Sequence, residues 1–177
     1  MLKTLLLLFV IFLLQSCSEV NEFKGIKFRQ YADFVIDYSS QYSATSWSAN
    51  RALGKENVFP EYGDYANAWA ASTPNNEREY LVLGFDTLQT IHTIDIYETF
   101  NPGAVDSIFI RKAETEEWIR VYSKPAVIGL PEESRIFSVY MLETTFLVDA
   151  IRIALNSAAV DGYNEIDAVA ISGQRSN

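Results

Sequence analysis

Two carboxylates stand two residues apart at the start of an apolar run near the end of the chain. If this run is a β-strand, Glu165, Asp167 and the apolar Val169 share one face, because successive side chains of a strand point to opposite faces. A buried carboxylate is costly unless it is hydrogen-bonded, paired or bound to a metal. The two acids can therefore hold a cation, accept hydrogen bonds from backbone amides, or pair with Arg51 or Arg152.

A second polar group follows another apolar alternation. Glu98 continues the apolar face of that run, and the Asn101-Pro-Gly turn comes directly after it. A carboxylate at the rim of an apolar face, beside Tyr97 and Asn101, suits the recognition of sugar hydroxyl groups. The alternative is a turn in which Glu98 satisfies neighbouring backbone N–H groups. Nearby loops can add Gln41, Tyr42, Trp47 and Tyr163.

The composition excludes several classes of protein. The 177 residues include one Cys and one His, which is too few for a His/Cys zinc site or a disulfide framework. The net charge of −9 argues against a nucleic-acid partner, because such a partner needs a basic face. With 49% apolar and 14% aromatic residues the chain is too apolar for disorder. One globular domain is expected, in which oxygen ligands hold any metal.

No motif for catalysis stands out. His92 alternates with Ile94 and is predicted to be a structural residue of a strand. The chain contains neither a Gly-x-Ser-x-Gly elbow nor a phosphate loop nor a dinucleotide fingerprint. Any two of its acids can converge into a hydrolytic pair, yet nothing singles out such a pair. We therefore expect a protein without enzymatic activity.

The first residues have the pattern of a secretion signal. Lys3 precedes an apolar run over residues 5–14, which suits a signal peptide and is shorter than the about 20 residues of a membrane-spanning helix. The Leu-Gln-Ser-Cys that follows resembles the lipobox of bacterial lipoproteins; the alternative is an ordinary cleaved signal with an incidental cysteine. The resemblance implies a signal peptide over 1–16, a lipid on Cys17 and a tether over 17–33. Serine rather than aspartate follows the cysteine, which favours the bacterial outer membrane.

The rest of the chain has the pattern of a β-protein. Seven short runs rich in Ile, Val, Phe and Tyr are separated by turn residues, which predicts an all-β fold, an antiparallel jelly-roll sandwich. One short helix is predicted from Ser48 to Gly54, near the N-terminal end. The long strandless segment over 54–80 is expected to pack over an open end of the sandwich. The predicted strands are Tyr80–Asp86, Ile91–Tyr97, Ser107–Arg111, Trp118–Tyr122, Ile136–Leu142, Ala150–Leu155 and Asp167–Ile171.

A set of motifs stands in order along the chain: Tyr38–Ser43, Ala49–Gly54, Phe59–Asp64, Gly63–Ala70, Glu98–Val105 and Glu165–Val169. Together they resemble discoidin-like domains, the galactose-binding-like fold of the type C domains of coagulation factors V and VIII and of many bacterial carbohydrate-binding modules. The variant found in F-box/leucine-rich-repeat proteins and in the scarf-type domain of pappalysins is similar to this chain. The resemblance covers residues 34–173 and leaves 174–177 as a tail.

This resemblance implies a structural calcium site. Domains of the family often hold calcium between a glutamate of the final strand and an aspartate loop near the start, and Glu165 and Asp64 stand at the matching positions. Backbone carbonyls around Leu53 and Gly63 and the side chain of Asn67 are further candidate ligands, in keeping with the six to eight oxygens that calcium takes. The ion would hold the 54–80 segment against the last strand.

The resemblance also implies a ligand class. We expect a lipid-anchored, extracytoplasmic binding module for carbohydrate, which touches the membrane through its lipid only. The alternative is a protein–protein interaction or assembly module of the cell envelope with no glycan ligand. The predicted ligand-binding residues are Tyr97, Glu98, Asn101, Gln41 and Trp47.

Overall fold

The computed structural model describes residues 26–75 and 78–175. The predicted signal peptide and Cys17 lie outside this part of the chain. Within it, no helix has both the length and the apolar character needed to cross a membrane. The described strands are β1 (Ile26–Tyr31), β2 (Phe34–Tyr38), β3 (Arg78–Phe100), β4 (Val105–Lys112), β5 (Trp118–Ser123), β6 (Arg135–Tyr140), β7 (Val148–Asn156) and β8 (Glu165–Arg175), and the short 3₁₀ helices are Ala49–Ala52 and Ser157–Ala159.

The strands form two layers because β3 takes part in both. Its first part, residues 78–84, pairs with β2 and β7, whereas its second part, residues 89–100, pairs with β8 and β6. We call β2, the first part of β3, β7, β4 and β5 layer A, and β1, β8, the second part of β3 and β6 layer B. All pairings are antiparallel. The predicted all-β antiparallel sandwich is confirmed.

The core lies between the two layers and follows the two-residue period of the strands. On β3, Leu81 and Leu83 face inwards from layer A, and Ile94 and Ile96 face inwards from layer B, all with no exposed surface. Each buried side chain of this size contributes about 1.5–3 kcal/mol by its removal from water. The chain therefore owes its rigid scaffold to apolar burial, and the loops at its ends are free to carry polar chemistry.

The strands differ from the predicted ones at β3, at β1 and at the end of β8, which reaches Arg175 inside the segment 174–177 predicted to be a tail. The predicted strands Tyr80–Asp86 and Ile91–Tyr97 are two parts of the single strand β3. β1 lies inside the segment 17–33 that was predicted to be a tether, so the folded domain begins before residue 34. β1 escaped prediction because it is an edge strand with polar residues on both faces; the side chain of its buried Gln30 bonds to Thr87 rather than packing in the core.

Between the first 3₁₀ helix and residue 75, where the described part of the loop ends, the chain carries no strand, as predicted. The conformation of this segment depends on bonds to distant elements: the N–H groups of Trp69 and Ile166 bond to each other's carbonyls at 2.8 and 3.0 Å. The predicted helix is one 3₁₀ turn, Ala49–Ala52, and the Ser48 side chain makes no capping bond to it. Gly54 ends it with a φ of +74°, a conformation that glycine adopts without strain.

A glycine of β8 marks the closest approach of two strands in layer B. A Cβ atom added to Gly173 would lie 1.7 Å from the backbone oxygen of Thr90. Gly173→Ala is therefore expected to lower the free energy of unfolding by about 3 kcal/mol, because strand β3 must shift to admit the methyl group. Urea unfolding measures the loss.

Gly84→Ala is the matched control for this substitution. Its added methyl group would meet the ring of Phe34, an exposed side chain that can turn away, rather than backbone. We expect a clearly smaller loss of stability than at Gly173. Equal losses in the two variants would contradict the close approach.

Candidate functional site

Three loops meet at the end of the sandwich where β8 begins. The Trp47 N–H donates to the carbonyl of Ala66 at 2.9 Å, and the Ala70 N–H donates to the carbonyl of Trp47 at 3.2 Å. The bonds between Trp69 and Ile166 attach the same segment to the start of β8. Backbone bonds thus build this end of the molecule from parts of the chain that are about 100 residues apart.

A cavity of about 60 Å³ opens at this end, and we call it the loop-end cavity; it is lined by Tyr42, Trp47, Asp64, Ala70 and Tyr163. The three aromatic rings form one continuous wall, since the Tyr42 centroid lies 5.0 Å from that of Trp47 and 5.6 Å from that of Tyr163. Tyr42 is half exposed. The cavity has room for a few water-sized groups, such as the hydroxyl groups along one edge of a ligand.

Glu165 lies beneath the cavity with 1% of its surface exposed. Its Oε1 accepts a hydrogen bond from the Trp47 indole Nε1 at 3.1 Å, and its Oε2 accepts one from the Tyr65 backbone N–H at 3.2 Å. Burial, together with hydrogen bonding and charge repulsion from the neighbouring Asp64 carboxylate, raises the pKa of Glu165 to about 8. Without a cation, Glu165 is therefore protonated at neutral pH.

Asp167 has a different role from Glu165, although the two stand close together in the sequence. Its carboxylate is fully buried and accepts hydrogen bonds from the backbone N–H groups of Asn57, Val58 and Phe59, with Oδ2 at 3.1, 3.0 and 2.9 Å. Of the alternatives open from the sequence, the structure shows the backbone-amide one for this residue. Asp167 thus fixes the path of the long segment rather than offering an open ligand position.

The predicted calcium ligands are placed as follows. Asp64 and Glu165 come together, as the resemblance implied, and supply the hard oxygen donors that calcium takes. The Gly63 N–H bonds to the carbonyl of Thr99 at 3.0 Å, which holds the aspartate loop against β3. Asn67 is exposed on that loop, and Leu53 ends the first 3₁₀ helix. No cluster of three or more His, Cys, Asp or Glu side chains occurs in ranges 26–75 and 78–175, so backbone oxygens or water would have to complete a coordination shell.

Two of the predicted ligand-binding residues are buried away from the loop-end cavity. Glu98 is 3% exposed; its Oε1 accepts from the Gly103 N–H at 2.9 Å and its Oε2 accepts from Arg135 Nε at 2.6 Å. The Tyr97 hydroxyl accepts from Arg29 Nη2 at 3.0 Å. These bonds stabilise the fold. The contacts of Glu98 fit the alternative in which it satisfies a neighbouring backbone N–H group at a turn.

The other predicted residues lie at or beside the cavity. Trp47 lines it. Asn101 Nδ2 donates to the backbone oxygen of Tyr163 at 2.9 Å and so positions one aromatic wall. Gln41 Oε1 accepts from the Ala49 N–H at 2.9 Å and so positions the first 3₁₀ helix. Tyr42 and Tyr163 were noted in the sequence only as aromatic residues of nearby loops; no local pattern marks them as wall residues, because tertiary contacts bring them together.

The fold and this loop-built end define a galactose-binding-like β-sandwich domain. A family model described as Pappalysin-1, SD scarf domain, C-terminal, matches residues 21–177. The chain belongs to this family, which confirms the resemblance to the scarf-type domain of pappalysins.

Among curated proteins, F-box/LRR-repeat protein 4 of Bos taurus is 27% identical to this chain over 177 residues. The match covers 82% of this chain and 28% of the bovine protein. The chain therefore spans a little over a quarter of the length of that relative.

Two solved structures illustrate the shared fold. Chitosan-binding module 2 in complex with chitotriose, from a chitosanase/glucanase of Paenibacillus sp. IK-5, is 16% identical, with a TM-score of 0.55 over 77% of this chain and 95% of that chain. Reduced XRCC1 bound to the DNA polymerase β catalytic domain is 15% identical, with a TM-score of 0.57 over 81% of this chain and 97% of that chain. The similar structures are mostly binding modules, although allantoicases are also among them.

Proposed function

We propose that this domain is a non-enzymatic binding module that takes carbohydrate at the loop-end cavity. The observation that carries the proposal is the continuous wall formed by Tyr42, Trp47 and Tyr163 beside the Asp64 carboxylate. Aromatic walls with a few well-placed polar groups are typical of small-molecule sites. The chitotriose complex of a module with the same fold supports a saccharide as the ligand class.

Each wall of the cavity has a distinct part in this proposal. The aromatic faces pack against the apolar C–H surface of a sugar, and the tyrosine hydroxyls can donate or accept hydrogen bonds. Asp64 accepts hydrogen bonds from sugar hydroxyl groups. Asn101 and Glu165 act indirectly, because their hydrogen bonds hold Tyr163 and Trp47 in place.

A structural calcium ion is the second part of the proposal. Asp64 and Glu165 would hold it, with backbone oxygens near Leu53 and Gly63 and the side chain of Asn67 as further ligands. When bound, the ion supplies positive charge that offsets the repulsion between two adjacent carboxylates. Its support is that the fold brings the exposed Asp64 carboxylate against the buried Glu165 carboxylate.

The cellular setting is the third part. Cys17 carries the lipid, and the module works at the bacterial outer membrane without entering the bilayer. The support is the order of a positive charge, a ten-residue apolar run and the Leu-Gln-Ser-Cys motif at the start of the sequence.

A glycan array that contains chito- and galacto-oligosaccharides tests the carbohydrate proposal. Binding is expected, and Tyr42→Ala or Asp64→Asn is expected to weaken it by roughly tenfold, or about 1.4 kcal/mol. Tyr140→Ala is the matched control, because this tyrosine is 77% exposed on β6 and lies outside the cavity. An array without binding, together with an envelope protein that co-purifies through the same loops, would favour the assembly module instead.

A further inference from the structure

A groove of about 260 Å³ crosses the outer face of layer A, and we call it the layer-A groove; it is lined by Ile36, Asp37, Tyr80, Val82, Arg111, Trp118 and Arg152. The strand register produces it. Val82 is paired with Arg152, and Arg111 is paired with Trp118. The core residues Leu81, Ile110 and Ile151 are strand neighbours of Val82, Arg111 and Arg152, so these side chains share the outer face. None of these residues lines the loop-end cavity.

Arg152 is the group in this groove that is free to bind a ligand. Its guanidinium lies over the Tyr80 ring, with Cζ 4.3 Å from the ring centroid. Stacking uses the face of the guanidinium, whereas its five N–H donors lie in the plane and stay free. Within residues 26–75 and 78–175, no carboxylate forms a salt bridge with Arg152.

The neighbouring charged side chains of the groove, Arg111 and Asp37, already make hydrogen bonds. Arg111 forms two parallel hydrogen bonds to Asp149, at 2.9 and 3.0 Å. Asp37 Oδ2 accepts the Tyr80 hydroxyl at 3.0 Å, and this bond fixes the ring on which Arg152 lies. Among the residues that the structure describes, Arg152 is thus a positioned cation of the groove with no salt-bridge partner, on a chain whose net charge is −9.

Trp118 supplies an apolar surface in the same groove as this cation. Its side chain is 38% exposed at the groove, and Arg111 lies over its ring at 5.6 Å. The groove volume is close to the lower end of the range for small-ligand sites, about 300–1,000 Å³. A ligand that matches these features carries a carboxylate next to a compact ring with apolar faces.

We propose that the layer-A groove binds an acidic saccharide, in which the carboxylate of a hexuronate unit pairs with the Arg152 guanidinium while its ring packs on Trp118. A guanidinium matches a carboxylate with two parallel hydrogen bonds. This site goes beyond the loop-end cavity and does not depend on it.

The test is a titration of the ¹⁵N-labelled full chain with trigalacturonate, followed through the indole N–H resonance of Trp118. A saturable shift is expected. The Arg152→Gln variant is expected to bind roughly 10- to 100-fold more weakly, because it loses a charge-assisted pair. Trigalacturonate with methyl-esterified carboxyl groups is expected to bind the unchanged protein as weakly as trigalacturonate itself binds the Arg152→Gln variant.

Arg175→Gln is the matched control, since Arg175 also lies over an aromatic ring, that of Phe28, at 4.7 Å, but in layer B. Arg175→Gln should leave the affinity for trigalacturonate unchanged. Tyr42→Ala in the loop-end cavity should also leave it unchanged, and this result distinguishes the layer-A groove from the carbohydrate site proposed at that cavity. The proposal is overturned if trigalacturonate does not shift the indole N–H resonance of Trp118 with a dissociation constant of about 1 mM or below. It is also overturned if the ester binds equally well, if Arg152→Gln has no effect, or if a hexaglutamate peptide binds as tightly.

Discussion

Replacement of Asp167 by alanine is expected to lower the free energy of unfolding by about 3–5 kcal/mol, because three backbone N–H groups lose the buried carboxylate that accepts their hydrogen bonds. These donors belong to Asn57, Val58 and Phe59, and no water can reach a carboxylate that is fully buried. The stability of small domains is about 5–15 kcal/mol, so the variant is expected to be near its unfolding threshold at ambient temperature. Urea unfolding followed by tryptophan fluorescence measures the change.

Two comparisons make the Asp167 prediction specific. Asp167→Asn keeps one oxygen acceptor and should lose clearly less stability than the alanine variant. Asp106→Ala removes an aspartate whose partner, Arg78, is 59% exposed, so about 1 kcal/mol or less should be lost. A loss at Asp167 no larger than that at Asp106 would show that the three amide bonds do not hold the long segment.

Glu165 is expected to make the chain less stable as the pH rises from 4.5 to 8 in the presence of a chelator. The pKa of Glu165 is about 8 in the folded chain, whereas the ordinary value of a glutamate, taken for the unfolded chain, is 4.5. Between these values the folded chain keeps a proton that the unfolded chain has released, so each rise in pH favours unfolding. Above pH 8 both states are ionised at this residue and its contribution stays constant. Glu165→Gln is expected to lack this loss, so its stability relative to the unchanged chain should grow across the window.

Calcium is expected to reverse the loss at pH 8. At a calcium concentration of 100 times the dissociation constant, the folded state gains about 2.7 kcal/mol. For a domain of this size, each kcal/mol of added stability raises the melting temperature by about 2–4 °C. The Asp64→Asn and Glu165→Gln variants should respond much less. An unchanged melting temperature after calcium is added at pH 8, or after a chelator is added to a calcium-loaded sample, would refute the calcium proposal.

The fold was largely predictable from period-two alternation, because the core is built by strands with one apolar face. Ile94 and Ile96 show this pattern, and both are fully buried. β1 was not predictable in the same way, since an edge strand gains its stability from pairing with β8 rather than from an apolar face of its own. The polar Gln30 of β1 is buried, and its side chain bonds to Thr87 and Gln89, which only the folded chain brings close to it.

The candidate site was predictable in part. The approach of Asp64 and Glu165 followed from the family resemblance, since the two are about 100 residues apart and no local pattern connects them. Alternation placed Glu98 correctly at the end of an apolar face, but it could not show that Arg135 and Gly103 already use both of its oxygens. The aromatic wall of Tyr42 and Tyr163 depends on contacts between loops, which a single sequence does not encode at short range.

The pairing of β1 with β8 determines how the domain is presented. Glu165, beneath the cavity, begins β8, and Arg175, which pairs with Ile26, ends it. β8 has eleven residues from one end to the other, a length of about 33 Å. A chain that reaches the domain through Ile26 therefore arrives at the pole far from the cavity. The loop-end cavity opens at the end of the domain opposite to that entry point.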